Sequence, residues 1–239
     1  FIGSVNPTWE IIPGLTLSGR LATDLTIDKI ENKNNTENAH VLSTNGQYSD
    51  SYGLKNNRYS IVYSDIMLMF DKTFADVHNI TANLGWNARQ ESFYESSVST
   101  SQGLTQENWF HLNASVGTKN ASMTKRDLLK TGALLTASYG YSNWGFLEGS
   151  IRQEKTSTLR HGNNSFWYPS VSASLLYTEL LGDKNPSWWN YGKIRLSYGI
   201  VGNAPEIYRA NLAFEQGSLT RNNVYTYNTI PSSIGNESI

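Results

Sequence analysis

Carboxylate and guanidinium side chains recur at even spacings in this sequence, and such groups can act as acids, bases or ion-binding residues. The acid pairs Asp24 with Asp28 and Glu148 with Glu154 have such spacings, and we expect them to pair with Arg20, Arg152 or Arg195 across strands. In an extended chain, residues an even number of positions apart lie on one face. Arg195 stands at a comparable polar position in a later segment. We interpret these charges as ion pairs on a wet face rather than as an acid and base pair, and we expect no enzymatic activity.

Other motifs that could carry chemistry are weak. The four histidines lie far apart and have no second ligand at metal spacing; they are His40, His78, His111 and His161. The glycines of "GLTLSG" and "GYSNWG" lack the strand, helix and lysine context of a phosphate-binding loop. With no cysteine, the chain has neither a disulfide scaffold nor a zinc ribbon. We therefore expect no metal site and no cofactor.

The segments that carry the charges alternate between polar and apolar residues. In "GKIRLSYGIVGN", residues 192–203, Arg195 and Ser197 oppose Leu196 and Tyr198. This period of two predicts a strand with one wet face and one apolar face. The same alternation recurs in six further segments, at about 15–27, 59–70, 80–89, 135–141, 147–154 and 171–177. The first of these is about twice as long as an ordinary strand of about 5–6 residues.

One segment, "RYSIVYSDIMLMFDK", breaks the alternation. Its apolar phase includes Tyr59, Ile61 and Tyr63, and then shifts to Ile66 and the alternate residues beyond it. A shift of one residue turns side chains to the other face, so the pattern predicts either a β-bulge or a change of environment near Asp65.

Long and short gaps take turns between the seven segments. Short gaps fall at about 71–76, 142–144 and 181–189, whereas long polar gaps fall at about 32–57, 92–130, 156–165 and after 202. This order is typical of an antiparallel transmembrane β-barrel, with short periplasmic turns and long extracellular loops. It assigns "NWFHLNASVG", residues 108–117, to an extracellular loop rather than to a strand. The fold class is therefore all-β, with about seven strands of a barrel present.

A soluble β-sandwich that binds carbohydrate is the alternative interpretation. The sequence has 7 Trp and 14 Tyr, which suit either an interfacial girdle or a sugar-binding face. Two features favour the barrel: strands long enough for membrane crossings of about 9–11 residues, and small residues at many apolar positions. A sandwich would instead bury its leucines in one shared core. Lys and Arg number 19 against 20 acidic residues, without a basic block, so no nucleic-acid partner is expected.

The barrel interpretation assigns each alternating residue to a face. Candidate lumen-facing residues that could contact a substrate are Arg20, Asp24, Glu148, Arg152 and Arg195. Residues expected to face lipid are Leu21, Leu84, Ile151, Leu175, Ile194, Leu196 and Tyr198.

Two runs carry a resemblance to a known family. The run "LEGSIRQEKTSTLRHGNNSFWYPSVSASLLYTELL", followed by "WWNYGKIRLSYGIVGN", resembles the SusC/RagA family of TonB-dependent outer-membrane transporters. In that family a Gly-Asn-Asn loop precedes a "FPSVS" strand, a periplasmic turn and "LKLRASYGVTGN". The residues that match in order are Arg152, Gly162, Asn163, Asn164, Pro169, Ser170, Val171, Ser172, Arg195, Ser197, Tyr198, Gly199, Gly202 and Asn203. Departures are Glu154, Trp167, Tyr168, Ile200 and Val201.

The resemblance implies more than the pattern does. Members are barrels of about 22 strands closed by an N-terminal plug, and they import glycans or peptides with force from the TonB complex. They pair with a SusD-like surface lipoprotein in the bacterial outer membrane, in contact with outer-membrane lipid. The sequence starts in mid-pattern, so we expect residues 1–239 to be part of one barrel domain. The plug, with its contact to TonB, and the C-terminal strands would then lie outside this chain.

Overall fold

The computed structural model describes residues 1–35, 49–186 and 188–207, together with four short strands near the C-terminus. The first nine strands are β1 (Ile2–Val5), β2 (Thr8–Ile12), β3 (Leu15–Asn34), β4 (Ser51–Phe74), β5 (His78–Ser99), β6 (Asn120–Tyr141), β7 (Gly145–Thr156), β8 (Ser165–Leu176) and β9 (Lys193–Gly199). The short strands form two antiparallel pairs, β10 (Glu215–Gln216) with β13 (Asn228–Thr229) and β11 (Thr220–Arg221) with β12 (Val224–Tyr225). The predicted loops at 32–57 and after 202 lie partly outside the described residues.

The described part of the chain is all-β, with β1 to β9 in one sheet. From β3 to β9 each strand pairs with the next one along the chain, and β1 and β2 both pair with β3. The registers of β6 with β7, β7 with β8 and β8 with β9 are antiparallel. Strands β3 to β9 are the seven predicted segments. The alternation did not indicate β1 and β2, because they have 4 and 5 residues and Pro7 lies between them.

Four strands are much longer than their apolar alternation. β3, β4, β5 and β6 contain 20, 24, 22 and 22 residues. Their added residues are mostly Asn, Ser, Thr, Lys and Glu, which keep the backbone ladder but carry no apolar signal. The gap predicted at 92–130 therefore shrinks to residues 100–119. Within it, residues 108–117 form no strand and include the 3-10 helix Leu112–Ala114, which confirms their assignment to a loop.

Two of the predicted short turns are tight hairpins. Ala75 and Asp76 join β4 to β5 with φ of 49° and 58°, and Ser142 and Asn143 join β6 to β7 with φ of 45° and 62°. Positive φ at both central residues gives the twist that suits a two-residue hairpin. Gly14, at φ 85°, serves the turn before β3, where a Cβ would lie 2.5 Å from the carbonyl oxygen of Asp71.

The third predicted short gap is longer than expected. Between β8 and β9 the chain forms the helix α1 (Tyr177–Leu181) and the 3-10 helix Gly182–Lys184. The Thr178 carbonyl accepts a hydrogen bond from Asn185 Nδ2 at 2.5 Å, and its hydroxyl accepts one from the Gly192 amide at 3.3 Å. These two bonds close the connection on itself, so the segment is a compact loop rather than a tight turn. None of the described helices has the length and apolarity required to span a bilayer.

The chain divides into two compact units. Unit 1 comprises Phe1–Gly3, Thr23–Val62 and Gln90–Asp127, and unit 2 comprises Ser4–Ala22, Tyr63–Arg89 and Leu128–Ile239. Strands β3 to β5 contribute residues to both units, and β6 divides between Asp127 and Leu128.

Unit 1 has a small hydrophobic core under the loop that follows β5. Tyr52, Leu104 and Ala114 are buried together, with three half-buried hydrophobic residues packed against them. The buried carboxylate of Asp50 accepts hydrogen bonds from the backbone amides of Leu104, at 3.1 Å, and Asn108, at 2.6 Å. The loop is thus fixed to the start of β4 by packing and by hydrogen bonds.

The bulge predicted near Asp65 is not needed to explain β4. In unit 2, Arg20 forms an ion pair with Asp65 at 2.7 Å, and its guanidinium lies 4.8 Å from the centre of the Tyr63 ring. Both partners therefore point to the same face of β4, as two residues with one between them should. Ile66 follows on the other face, half exposed. The prediction assigned Tyr63 to the apolar phase because it treated the tyrosine as a hydrophobic residue.

Candidate functional site

The polar face of β7, β8 and β9 in unit 2 is set by the register of three strands. Glu148 lies opposite Ser172, which lies opposite Ser197 on the next strand. The neighbouring row contains Ser150 and Ser170, followed by Gly199. Because residues separated by two share a face, both rows are on the same side of the sheet. We call this side the polar face.

An ion pair links two of the predicted site residues on the polar face. Arg195 Nη2 lies 3.0 Å from Glu148 Oε2 and also donates to Ser172 Oγ at 3.3 Å. The Ser172 hydroxyl donates to the same carboxylate oxygen at 2.9 Å. The three side chains thus connect three adjacent strands. Because both charged side chains are more than half exposed, we expect the pair to contribute little stability.

Hydroxyl and amide groups continue the polar face across β5 and β6. The Ser150 and Ser170 hydroxyls are 2.7 Å apart, and Thr81 and Ser138 hydroxyls are 2.6 Å apart. One row further, Asn83 Nδ2 donates to Thr136 Oγ1 at 3.0 Å. These residues line an open cavity of about 500 Å³ together with Glu148, Arg195 and Ser197.

The chemistry available in this cavity is hydrogen bonding. A hydroxyl both donates and accepts, so a row of serines and threonines can exchange partners with amide groups or sugar hydroxyls. Glu148 adds an acceptor and Arg195 adds a fork of donors. Among the described residues, no three His, Asp or Glu side chains group as metal ligands, and His40 lies outside those residues.

The other predicted site residues lie elsewhere. Arg152 pairs with Glu154 on the same strand, its Nε at 3.2 Å from the carboxylate. Arg20 belongs to the separate cluster with Tyr63 and Asp65. Asp24, in unit 1, is half-buried and has no hydrogen-bond or ion-pair partner in the described part of the chain. The sequence expectation of cross-strand ion pairs holds for Glu148 with Arg195, whereas Arg20 pairs with Asp65 rather than with Asp24 or Asp28.

Sequence reasoning missed Asp65 and Ser172 as parts of these clusters. Asp65 lies where the apolar alternation of β4 shifts. Following the polar residues of β4 instead of the apolar ones would have identified it. Ser172 is one of several serines in "SVSASLL", and only the register shows which of them meets Glu148.

The opposite side of β7, β8 and β9 is the apolar face. Leu147, Ala173 and Leu196 form one row across it, and Ile151 and Pro169 lie in another. Leu196 is 79% exposed and Leu84, on β5, is 57% exposed. Of the residues expected to face lipid, Leu21, Ile151, Ile194 and Tyr198 are also exposed, whereas Leu175 is half-buried.

These leucines do not share a core in the described structure. Its buried hydrophobic residues are Tyr52, Leu104, Ala114, Leu128 and Leu159. The expectation from a β-sandwich, in which Leu21, Leu84, Leu175 and Leu196 pack against a second sheet, is therefore not met. Contact of the apolar face with lipid stays a prediction.

Comparisons with known proteins find similarity in structure but not in sequence. No protein-family model and no curated protein matches the chain. The structure of the RagAB peptide transporter matches 99% of this chain with a TM-score of 0.83 and 17% identity. The RagAB peptide importer matches with TM-scores of 0.80 in its closed-closed state, over 100% of this chain at 17% identity, and 0.77 in its open-open state, over 98% at 18% identity.

The similarity shows a shared fold. In all three comparisons the chain spans about a quarter of the matched transporter chain, 26% of its length. The described strands of this chain are thus arranged as they are in a section of a transporter.

Proposed function

We propose that this chain forms part of the wall of an outer-membrane β-barrel importer of the SusC/RagA kind, which moves peptides or glycans. The observation that carries the proposal is the division of one sheet into a hydrogen-bonded polar face and an exposed apolar face. The fold shared with a peptide transporter over 99% of the chain supports it. The residue matches to the family in β7, β8 and β9 point the same way.

The polar face suits the inside of a barrel. A solute passing through a water-filled passage needs groups that bind it weakly and exchange quickly with water. The exposed hydroxyls and the exposed pair of Glu148 and Arg195 meet this need, because none of them is held in a dry environment. Peptide amides and sugar hydroxyls are both complementary to such a surface, and the similarity in fold to a peptide transporter favours peptides.

The apolar face suits lipid. Exposed leucine, isoleucine and tyrosine side chains in adjacent rows would be an aggregation hazard in water. In a bilayer the same side chains replace lipid-to-lipid contacts at no cost, because hydrocarbon tails are as apolar as leucine. The proposal therefore gives this face a role in membrane insertion and none in substrate binding.

The proposal includes partners that lie outside this chain. Import by the resembled family requires a plug, the TonB complex and a SusD-like surface lipoprotein. For the longer protein that contains this chain, we propose the same partners and an outer-membrane location. The proposal assigns the chain a role in transport and no catalytic step.

The test measures solute uptake by cells in which the full-length protein is the only importer of its kind. We expect the protein in the outer-membrane fraction and expect uptake of labelled oligopeptides or oligosaccharides to stop in a TonB-deficient strain. Ser172→Trp, on the polar face, should slow uptake, whereas the adjacent Ala173→Trp, on the apolar face, should leave it unchanged. A protein found in the soluble fraction, or uptake that is independent of it, would contradict the proposal.

A further inference from the structure

A second cavity, of about 690 Å³, lies within unit 1 and has a different chemistry from the first. Two cations, Arg58 and Lys125, line it together with Ser92, Tyr94 and Asp127. It draws on β4, β5 and β6, three adjacent strands of the sheet. Nothing in the proposed passage of a solute uses these residues.

Strand alternation assigns this cavity to the lipid side of the wall. Ser92 donates to Asp127 Oδ1 at 2.8 Å, so these two residues share a side of β5 and β6. On β5, every second residue from Ile80 onward shares one face, and this series includes Leu84 and Ser92. On β6, the series of every second residue that contains Leu135 also contains Asp127. These positions are the ones that carry the exposed apolar residues.

The cavity begins where these alternate positions change from apolar to polar. On β5 they contain only Ile, Ala, Leu and Trp over residues 80–88, and they continue as Gln90 and Ser92. On β4 they change after Val62, to Ser60 and Arg58. Nine residues match one crossing of the hydrocarbon layer, which takes about 9–11. If the apolar positions contact lipid tails, the cavity lies at the level of the headgroups.

The cavity offers hydrogen-bond donors with little competition. Arg58 is exposed and forms no ion pair or hydrogen bond within the described residues. Within the described residues the Tyr94 hydroxyl donates only to Met123 Sδ, at 3.5 Å, and a thioether is a weak acceptor. Lys125 Nζ lies 3.1 Å from Asp127, which also accepts the hydrogen bond from Ser92. These contacts neutralise Asp127 locally and leave Arg58 as uncompensated positive charge.

We propose that this cavity binds the phosphate group of a lipid headgroup in the outer leaflet, with Arg58, Lys125 and Tyr94 as donors. The inference rests on the proposed membrane location. Arg forms paired hydrogen bonds with phosphate oxygens, and each basic residue near a membrane surface strengthens the attraction to anionic lipid.

The experiment compares two double variants of the full-length protein in detergent, with purified bis-phosphorylated lipid A as the probe. R58Q/K125Q removes both cations of the cavity. K55Q/R126Q removes two cations from the other alternate positions of the same strands, where Lys55 pairs with Glu95 at 2.8 Å and Arg126 lies 5.9 Å from the centre of the Phe93 ring. We expect R58Q/K125Q to weaken lipid binding by about tenfold or more, and K55Q/R126Q to leave it unchanged.

Each other outcome overturns the inference. Equal losses in the two variants would mean a general effect of charge. Equal affinity for dephosphorylated lipid A would mean that the site does not recognise phosphate. Displacement of the lipid by dilute inorganic phosphate would mean that the site is one for free phosphate rather than for a lipid headgroup. A protein that reaches the outer membrane and imports its substrate, but shows no selective loss in R58Q/K125Q, refutes the lipid site alone. A protein that does not enter the membrane refutes the proposed function as well.

Discussion

The loop of unit 1 that follows β5 and the strands β7 to β9 of unit 2 treat their apolar side chains in opposite ways. Beneath the loop, apolar residues pack together, and Leu104 is only 1% exposed. On the strands of unit 2, whole rows of them, such as Leu147 and Leu196, lie open at the surface. The loop therefore follows the rule for a protein in water, and these strands do not.

The difference indicates that the two regions are suited to different surroundings, one aqueous and one apolar. Apolar burial is the main driving force of folding in water, so a surface like that of unit 2 needs another apolar phase to cover it. The opposite face of these strands suits water, because its side chains hydrogen-bond to each other, as Ser150 does with Ser170 and Arg195 with Glu148. The proposed function places the loop after β5 in water and the apolar rows of unit 2 in contact with lipid.

The largest expected effect comes from replacing a leucine with alanine in each of the two regions. Leu104→Ala leaves a cavity in a closed core and should destabilise the loop after β5 by about 2–5 kcal/mol. Leu196→Ala should leave no cavity, because lipid fills the space. Hydrogen exchange of the backbone amides in the full-length protein measures both. We expect lost protection over residues 100–118 in the first variant and unchanged protection of β8 and β9 in the second. Equal protection of the loop in wild type and Leu104→Ala would contradict the claim that Leu104 holds the loop in a closed core.

A charge on each face of β9 gives the next largest effect. Leu196→Arg should destabilise the full-length protein in lipid by about 2–4 kcal/mol if the residue lies near the middle of the bilayer. Ser197→Arg, one residue along the strand, should cost little, because it stays in water on the polar face. Denaturant unfolding in lipid vesicles compares the two. Similar costs would contradict the assignment of faces.

Much of the fold was readable from the sequence because a sheet with one polar and one apolar face imposes a period of two on the residues of a strand. Seven strands follow from that period, and the loop at 108–117 follows from the alternation of short and long gaps between them. The ends of β3 to β6 do not, because polar residues continue a backbone ladder without changing the pattern. The connection from Tyr177 to Gly192 does not either, because hydrogen bonds to the backbone carbonyl and the hydroxyl of Thr178 close it.

The candidate site was readable only in part. The charge pattern predicts that Glu148 pairs with an arginine across strands, but it does not identify Arg195 as the one. Their pairing depends on the register between β7, β8 and β9, which is set by many backbone hydrogen bonds. Sequence reasoning missed the polar role of Asp65 because it counted Tyr63 as an apolar residue, whereas the Tyr63 ring contacts the guanidinium of Arg20.

A smaller effect on stability is expected on the polar face. Glu148→Gln removes an exposed ion pair and should change the free energy of unfolding by about 1 kcal/mol or less. If the pair contacts solute, the same variant should alter uptake of charged peptides more than that of neutral ones. Parallel measurements of unfolding and uptake test this separation. A large loss of stability without a change in uptake would make Glu148 a structural residue.

The smallest effect concerns pH and unit 1. The hydrogen bond from the Tyr52 hydroxyl to Glu31, followed by the one from Lys33, lowers the pKa of Glu31 below its ordinary value of 4.5. A lowered folded-state pKa stabilises the protein above the unfolded-state pKa, and the contribution is lost as pH falls through the folded-state value. Tyr52→Phe should therefore reduce hydrogen-exchange protection of unit 1 at about pH 7 and less at about pH 3. A loss that is the same at both pH values would show that the phenol acts through packing alone.

The central claim, that adjacent residues of one strand face lipid and water in turn, is tested most directly by probes along β9. The chain has no cysteine, so single cysteines can replace Ile194, Arg195, Leu196, Ser197 and Tyr198 one at a time in the full-length protein. Each carries a nitroxide spin label, and collision with oxygen, which enters lipid, is compared with collision with a water-soluble nickel chelate. The account predicts oxygen-dominated relaxation at positions 194, 196 and 198 and nickel-dominated relaxation at 195 and 197. Five positions with the same preference would contradict it.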